Sequence, residues 1–175
     1  MADNPLQSYN EKDNPFRLPG PLAIALAKPT PRSFVKQRPA LGGGTWDYVD
    51  TGYVRRALVS IFGHHWNVEN EVVTPMDLAL QLGQIAVKVR LTILSPVDGK
   101  VLIVREAFGS SEVKKYGDTN KKAGEVMDLA NDLKAAQADG FKKACSSLGI
   151  AQDIYEPKVE ATLKEMAEAF KKKKA

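Results

Sequence analysis

The sequence predicts an α+β fold: a short helix, a three-stranded antiparallel sheet, a long helix and a terminal helix. Three observations lead there. Gln84 to Leu94 alternates, with Ile85, Val87, Val89, Leu91 and Ile93 on one face and Lys88, Arg90 and Thr92 on the other, the period-two pattern of a half-buried strand. Pro96-Val97-Asp98-Gly99 reads as a hairpin turn, and Val101 to Phe108 as the returning strand. Val126, Ala130, Leu133, Ala138, Phe141, Cys145 and Leu148 then recur near a 3.6-residue period, which gives one long helix lying on the sheet.

The remaining elements follow in chain order. Residues 1–32 are rich in Pro, Asn and Asp, and Pro29 and Pro31 cut short the apolar patch Pro21–Ala27, so this stretch reads as a flexible N-terminal arm. Phe34-Val35, Lys36 and Arg38 precede Gly42-Gly43-Gly44, a run that signals a turn, a hinge or a backbone pressed close to something. Val54, Leu58 and Ile61 keep helical spacing between a capping Thr51 and a terminating Gly63. Asn67 to Val73 reads as the first strand of the sheet. Gly109 to Gly124 is polar, with four lysines, and reads as a connection. Gly140 inside the long helix costs about 1 kcal/mol relative to alanine, which points to a close backbone contact there. After Pro157, the spacing of Val159, Leu163, Met166 and Phe170 predicts a final helix that runs into Lys171–Lys174, so 157–175 reads as a C-terminal helix and lysine tail.

With 175 residues, 43% hydrophobic and 26% charged, the chain suits one domain, placed here at 33–156, with tails. Its 25 basic and 21 acidic residues give a net charge of +4, which favours a polyanionic partner without selecting one. The single Cys145 excludes an internal disulfide and a thiolate zinc site, and fits a reducing interior. The N-terminus lacks a basic start followed by an apolar run, and no stretch of about 18 apolar residues occurs. A cytoplasmic protein without a membrane span is therefore expected.

Catalytic patterns are weak. A phosphate-binding loop requires Gly-Lys followed by Ser or Thr, whereas Gly44 is followed by Thr45-Trp46. Adjacent His64 and His65 point apart on any regular element, and nothing completes a metal set with them. Asp98 falls in a turn and Glu106 on a strand surface, so a nuclease-like acidic cluster is not formed. No enzyme and no cofactor are expected. Binding fits better: Lys88 and Arg90 on one strand face, Lys142 and Lys143 on the long helix, and Arg55 and Arg56 on the first helix are the side chains a phosphate track requires. Trp46, Tyr48, Tyr53 and Trp66 read as core or interface aromatics.

Phe34-Val35-Lys36-Gln37-Arg38 before the triple glycine, Tyr48-Val49, Phe62-Gly63 with Trp66, a β-hairpin, and Asp139-Gly140-Phe141-Lys142-Lys143-Ala144 with Leu148-Gly149 form an ordered set. This set resembles the annealing domain of the Rad fifty-two family over about residues 33–156, and Leu148 to Tyr155 is similar to its short bacterial and phage branch, which includes DdrA-like proteins. The resemblance implies a β-β-β-α core assembling into a ring or helical homo-oligomer, with single-stranded DNA in a positively charged outer groove. It implies ATP-independent annealing in repair or recombination, with a DNA-end-protecting or coating role as the alternative. The expected location is the bacterial or phage-infected cytoplasm, at the nucleoid, and a recombinase or single-strand-binding protein is a candidate further partner. In the family pattern Lys142 and Lys143 contact phosphates, an arginine position falls on Tyr53, and an aromatic position falls on His64. Lys121 and Lys122, with Lys88 and Arg90, are expected to supply further charge, and all these cations to converge on one channel.

Overall fold

The computed structural model describes residues 20–26, 28–39 and 43–156. Its centre is an antiparallel sheet of β3 (Trp66–Val72), β4 (Gln84–Leu94) and β5 (Val101–Glu112), in that spatial order, preceded by a separate hairpin of β1 (Val35–Pro39) and β2 (Thr45–Val49). Helices α1 (Gly20–Leu26), α2 (Thr51–Phe62), α3 (Met76–Leu82), α4 (Leu129–Ser146) and α5 (Gln152–Tyr155) complete the chain. The α+β class with antiparallel sheets is as expected.

The central strand sets the core. Ile85, Val87, Val89, Leu91 and Ile93 are all essentially inaccessible, and α4 crosses this face of β4 and β5. Five large apolar side chains removed from water each contribute about 1.5–3 kcal/mol, so this alternation holds the layers together. Helix α4 starts at Asp128, whose carboxylate accepts the Asn131 N–H at 3.0 Å, and at its far end Arg105 of β5 donates to the Ser147 carbonyl at 3.3 Å. Helix α2 lies beside α4, with the Arg55 guanidinium 5.1 Å from the centre of the Phe141 ring.

Several elements differ from the sequence-based expectation. The turn that the glycine run allows, with φ of +100° and +82° at Gly43 and Gly44, lies between two strands not expected from the sequence, β1 and β2. The strands it joins are short and mostly exposed, so they carry no apolar alternation to announce them. Helix α3 fills the link between β3 and β4, and seven residues carry too little periodicity to reveal it. Strand β5 continues to Glu112, because Ser110 and Ser111 are held by the β4 ladder through Ala86 and Ile85 rather than by their own hydrophobicity. The polar connection folds back on itself: Tyr116 N–H donates to Glu125 and Met127 N–H to Lys114, both at 2.9 Å.

The described part of the expected arm is packed. Leu26 and Thr30 are buried, and Thr30 donates from its N–H and hydroxyl to the Asp153 carboxylate at 3.0 and 2.6 Å. Proline-rich composition hid this anchor because its partner is 123 residues away. The expected C-terminal helix and lysine tail at 157–175, and residues 1–19 of the arm, lie outside the described residues.

Candidate nucleic-acid interface

A groove of about 1020 Å³ runs between the β1–β2 hairpin and α4. Its floor is the α4 stripe Ala135, Ala138, Asp139 and Lys142, spaced at helical intervals, with Ser110 and Ser111 of β5 alongside. Ile154 and Tyr155 of α5 close one end, and the Tyr155 hydroxyl donates to the Val49 carbonyl at 3.3 Å, tying the hairpin to the helical layer. The hairpin wall carries Arg38, Trp46 and Tyr48, and Arg32 precedes it.

The carboxylates in the groove are already engaged. Asp139 receives the Lys143 ammonium at 2.8 Å and the Ser110 N–H at 3.2 Å. Asp153 is held by Thr30, and Asp47 accepts from Gln37 at 3.0 Å with Arg32 at 3.7 Å. Lys142 is different: among the described residues no carboxylate lies within ion-pair distance of it. It is half-buried, with its ammonium 6.0 Å from the centre of the Tyr155 ring. Burial pushes its pKa below the ordinary 10.5; Asp139 opposes this and Arg38 reinforces it. A half-buried ammonium with no carboxylate in ion-pair distance among the described residues, at the floor of a groove, is a strong position for binding an anion.

The other sequence-predicted residues are dispersed. Lys143, though adjacent to Lys142, is turned toward β5, where it also donates to the Phe108 carbonyl at 3.3 Å. Lys88 and Arg90 do not share a channel with α4, because the alternation that buries Val87, Val89 and Leu91 under α4 sends them to the opposite face of the sheet. There both approach Glu106, at 3.1 and 3.8 Å, and their partners across the β3 register are Glu71 and Glu69. Arg55 lies over Phe141 and faces a separate 320 Å³ recess with Lys134, Gln137 and Asn70. Arg56 covers the Phe34 ring at 5.5 Å, and Phe34 stacks on Tyr53 at 5.0 Å, so Tyr53 helps pack the N-terminal segment. His64 is exposed in the turn that ends α2. Lys121 and Lys122 sit in the folded-back connection, which joins the start of α4, whereas Lys142 lies about 20 Å along that helix. The expected single channel is therefore not built within the chain: only Lys142 of the predicted cations lines the groove.

Sequence reasoning missed the hairpin wall. Along the sequence Arg38 belongs to a basic stretch and Trp46 reads as a core or interface aromatic, yet Trp46 is 62% exposed. The available signal was the pairing of Lys36 and Arg38 with Tyr48 and Trp46 around a glycine turn.

The model of the Rad52/22 family of double-strand break repair proteins matches residues 20–173. The chain belongs to that family. Family membership places it in DNA repair and recombination, and the match begins at α1, in agreement with the packed Leu26 and Thr30. No curated protein matches the chain closely enough to count as a relative. No helix among the described residues of this Rad52/22 family chain is long and apolar enough to cross a membrane.

Proposed function

We propose that the groove between the β1–β2 hairpin and α4 binds single-stranded DNA, and that the protein uses it to anneal complementary strands without ATP. The observation that carries this reading is Lys142, a half-buried ammonium without a carboxylate partner among the described residues, set in a groove with Arg32 and Arg38. Such a site takes a phosphate, and successive phosphates require a row of such sites. A ring or helical array of copies supplies that row, so that a strand lies across many subunits while a second strand samples registers against it.

The test mixes complementary fluorescent oligonucleotides with and without the protein, in the absence of nucleotide. Pairing faster than the spontaneous rate is expected. Retardation of pairing by a protein that nonetheless binds would assign a coating or end-protecting role instead. Native mass measurement with and without oligonucleotide checks the assembly, and a monomer in both states would rule out a continuous groove.

A further inference from the structure

In an antiparallel pair, residues directly opposite one another project from the same face, and so do those two positions along. The β1–β2 register sets Lys36 opposite Tyr48 and Arg38 opposite Trp46. These two successive rungs of one face each set a cation opposite an aromatic ring, and the Lys36 ammonium is held by Asp50. The Arg38 guanidinium lies 6.0 Å from the centre of the Tyr48 ring, which connects the rungs diagonally. Arg38, Trp46 and Tyr48 all line the groove whose floor holds Lys142. On the other face Val35 and the buried Val49 pack against the core at the base of the hairpin, while Gln37 donates to Asp47 farther along, which leaves the aromatic face unburied by the core.

Trp46 stands apart from Trp66 and from Tyr48. Trp66 donates its indole N–H to the Gly63 carbonyl at 3.1 Å and packs against the core, and the Tyr48 ring is half-buried. Trp46 is 62% exposed, lines the groove and stands opposite Arg38 in the strand register. Leaving a large apolar ring in water is unfavourable, and a flat π-face next to a cation is the arrangement that accepts an unpaired nucleobase while the cation meets its phosphate.

Resting on the groove reading above, we propose that Trp46 stacks on a nucleobase of the bound single strand, with Arg38 engaging the adjacent phosphate. The groove then holds the strand by a base contact on the hairpin wall as well as by a phosphate contact at Lys142. Stacking is indifferent to sequence because every base presents a π-face, so it adds affinity for unpaired strands without favouring one sequence. A duplex keeps its bases stacked on one another, so this contact also distinguishes single strands from paired ones.

The chain has two tryptophans, so W66F leaves Trp46 as the sole indole emitter. Titration of W66F with oligothymidylate is expected to quench emission, while an abasic deoxyribose-phosphate oligomer of equal length binds and leaves emission unchanged. In parallel, W46A is expected to bind oligothymidylate about tenfold more weakly and the abasic oligomer as well as wild type does. If W66F does not fold, the difference in quenching between wild type and W46F, in which only Trp66 emits, supplies the same quantity. Equal quenching by both oligomers, unchanged emission while anisotropy shows oligothymidylate bound, or an unaltered W46A affinity would each overturn the stacking assignment and leave the groove standing. Failure of wild type to bind either oligomer would overturn the groove reading itself.

Discussion

Gly140 of α4 lies directly against Gly109 of β5. A Cβ at Gly109 would overlap the Ala136 carbonyl oxygen and the Gly140 nitrogen, and a Cβ at Gly140 would come within 2.6 Å of Val89 Cγ2 and 3.0 Å of the Gly109 nitrogen. Neither glycine has a positive φ, so both are there for space. This contact sets how closely α4 approaches the sheet, and Lys142 follows two residues later on the same helix.

G109A meets backbone atoms that cannot turn aside, and overpacking of this kind costs about 1–3 kcal/mol. G140A meets chiefly the end of a valine side chain and recovers about 1 kcal/mol of helix propensity, so its loss is the smaller of the two. Urea denaturation of the two variants checks the order; a G109A protein as stable as wild type would mean that α4 is free to move away.

Lys142 and Lys143 are predicted to behave differently despite being neighbours. K142A removes a groove cation without a carboxylate partner among the described residues, and is expected to lower single-strand affinity about tenfold or more and to reduce the log–log salt slope by about 0.7. K143A removes a lysine already engaged by Asp139 and the Phe108 carbonyl, so a smaller effect is expected. Fluorescence anisotropy at several salt concentrations separates them, and equal losses would contradict the geometry.

The depressed pKa of Lys142 carries a pH dependence of definite sign. A bound phosphate favours the ammonium, so affinity is expected to be level at neutral pH and to fall as pH climbs toward the ordinary lysine value of 10.5, earlier than a solvated lysine would allow. The fold responds in the opposite direction. Between the lowered folded-state pKa and 10.5 the unfolded chain still holds the proton that the folded chain has released, so rising pH favours folding and unfolding does not mimic the loss. Arginine stays charged throughout, so K142R is expected to bind without this alkaline decline. A K142R profile identical to wild type would assign the decline to another group.

Lys88 and Arg90 share Glu106 on the face of the sheet turned away from α4. Because that patch is balanced by acidic neighbours, the double variant K88A/R90A is expected to bind single strands within about twofold of wild type, as for exposed pairs worth under about 1 kcal/mol. A loss comparable with that of K142A would show that this face also meets DNA, for example between neighbouring copies.

Much of the fold was legible wherever burial imposes a period. The alternation of β4, the turn at Pro96–Gly99, the Gly63 stop of α2 and the run of α4 are all legible, and Gly140 announced its close contact by its cost in a helix; the N-cap of α2 is Asp50, one residue before the expected Thr51, and makes no side-chain capping bond. The family was legible as an ordered set of short motifs. What the sequence could not supply is which surfaces face each other. Lys88, Arg90, Lys142 and Lys143 are equivalent as charges along the chain, and only the layering of α4 on one face of the sheet separates them. Thr30 and Asp153, or Val49 and Tyr155, meet across more than a hundred residues through polar contacts that follow no local pattern. Local periodicity therefore determined the central strands, the two long helices and the core of this protein, while the groove, the lysine at its floor and its exposed tryptophan were decided by long-range packing, because a binding surface is made from the faces that the core leaves over.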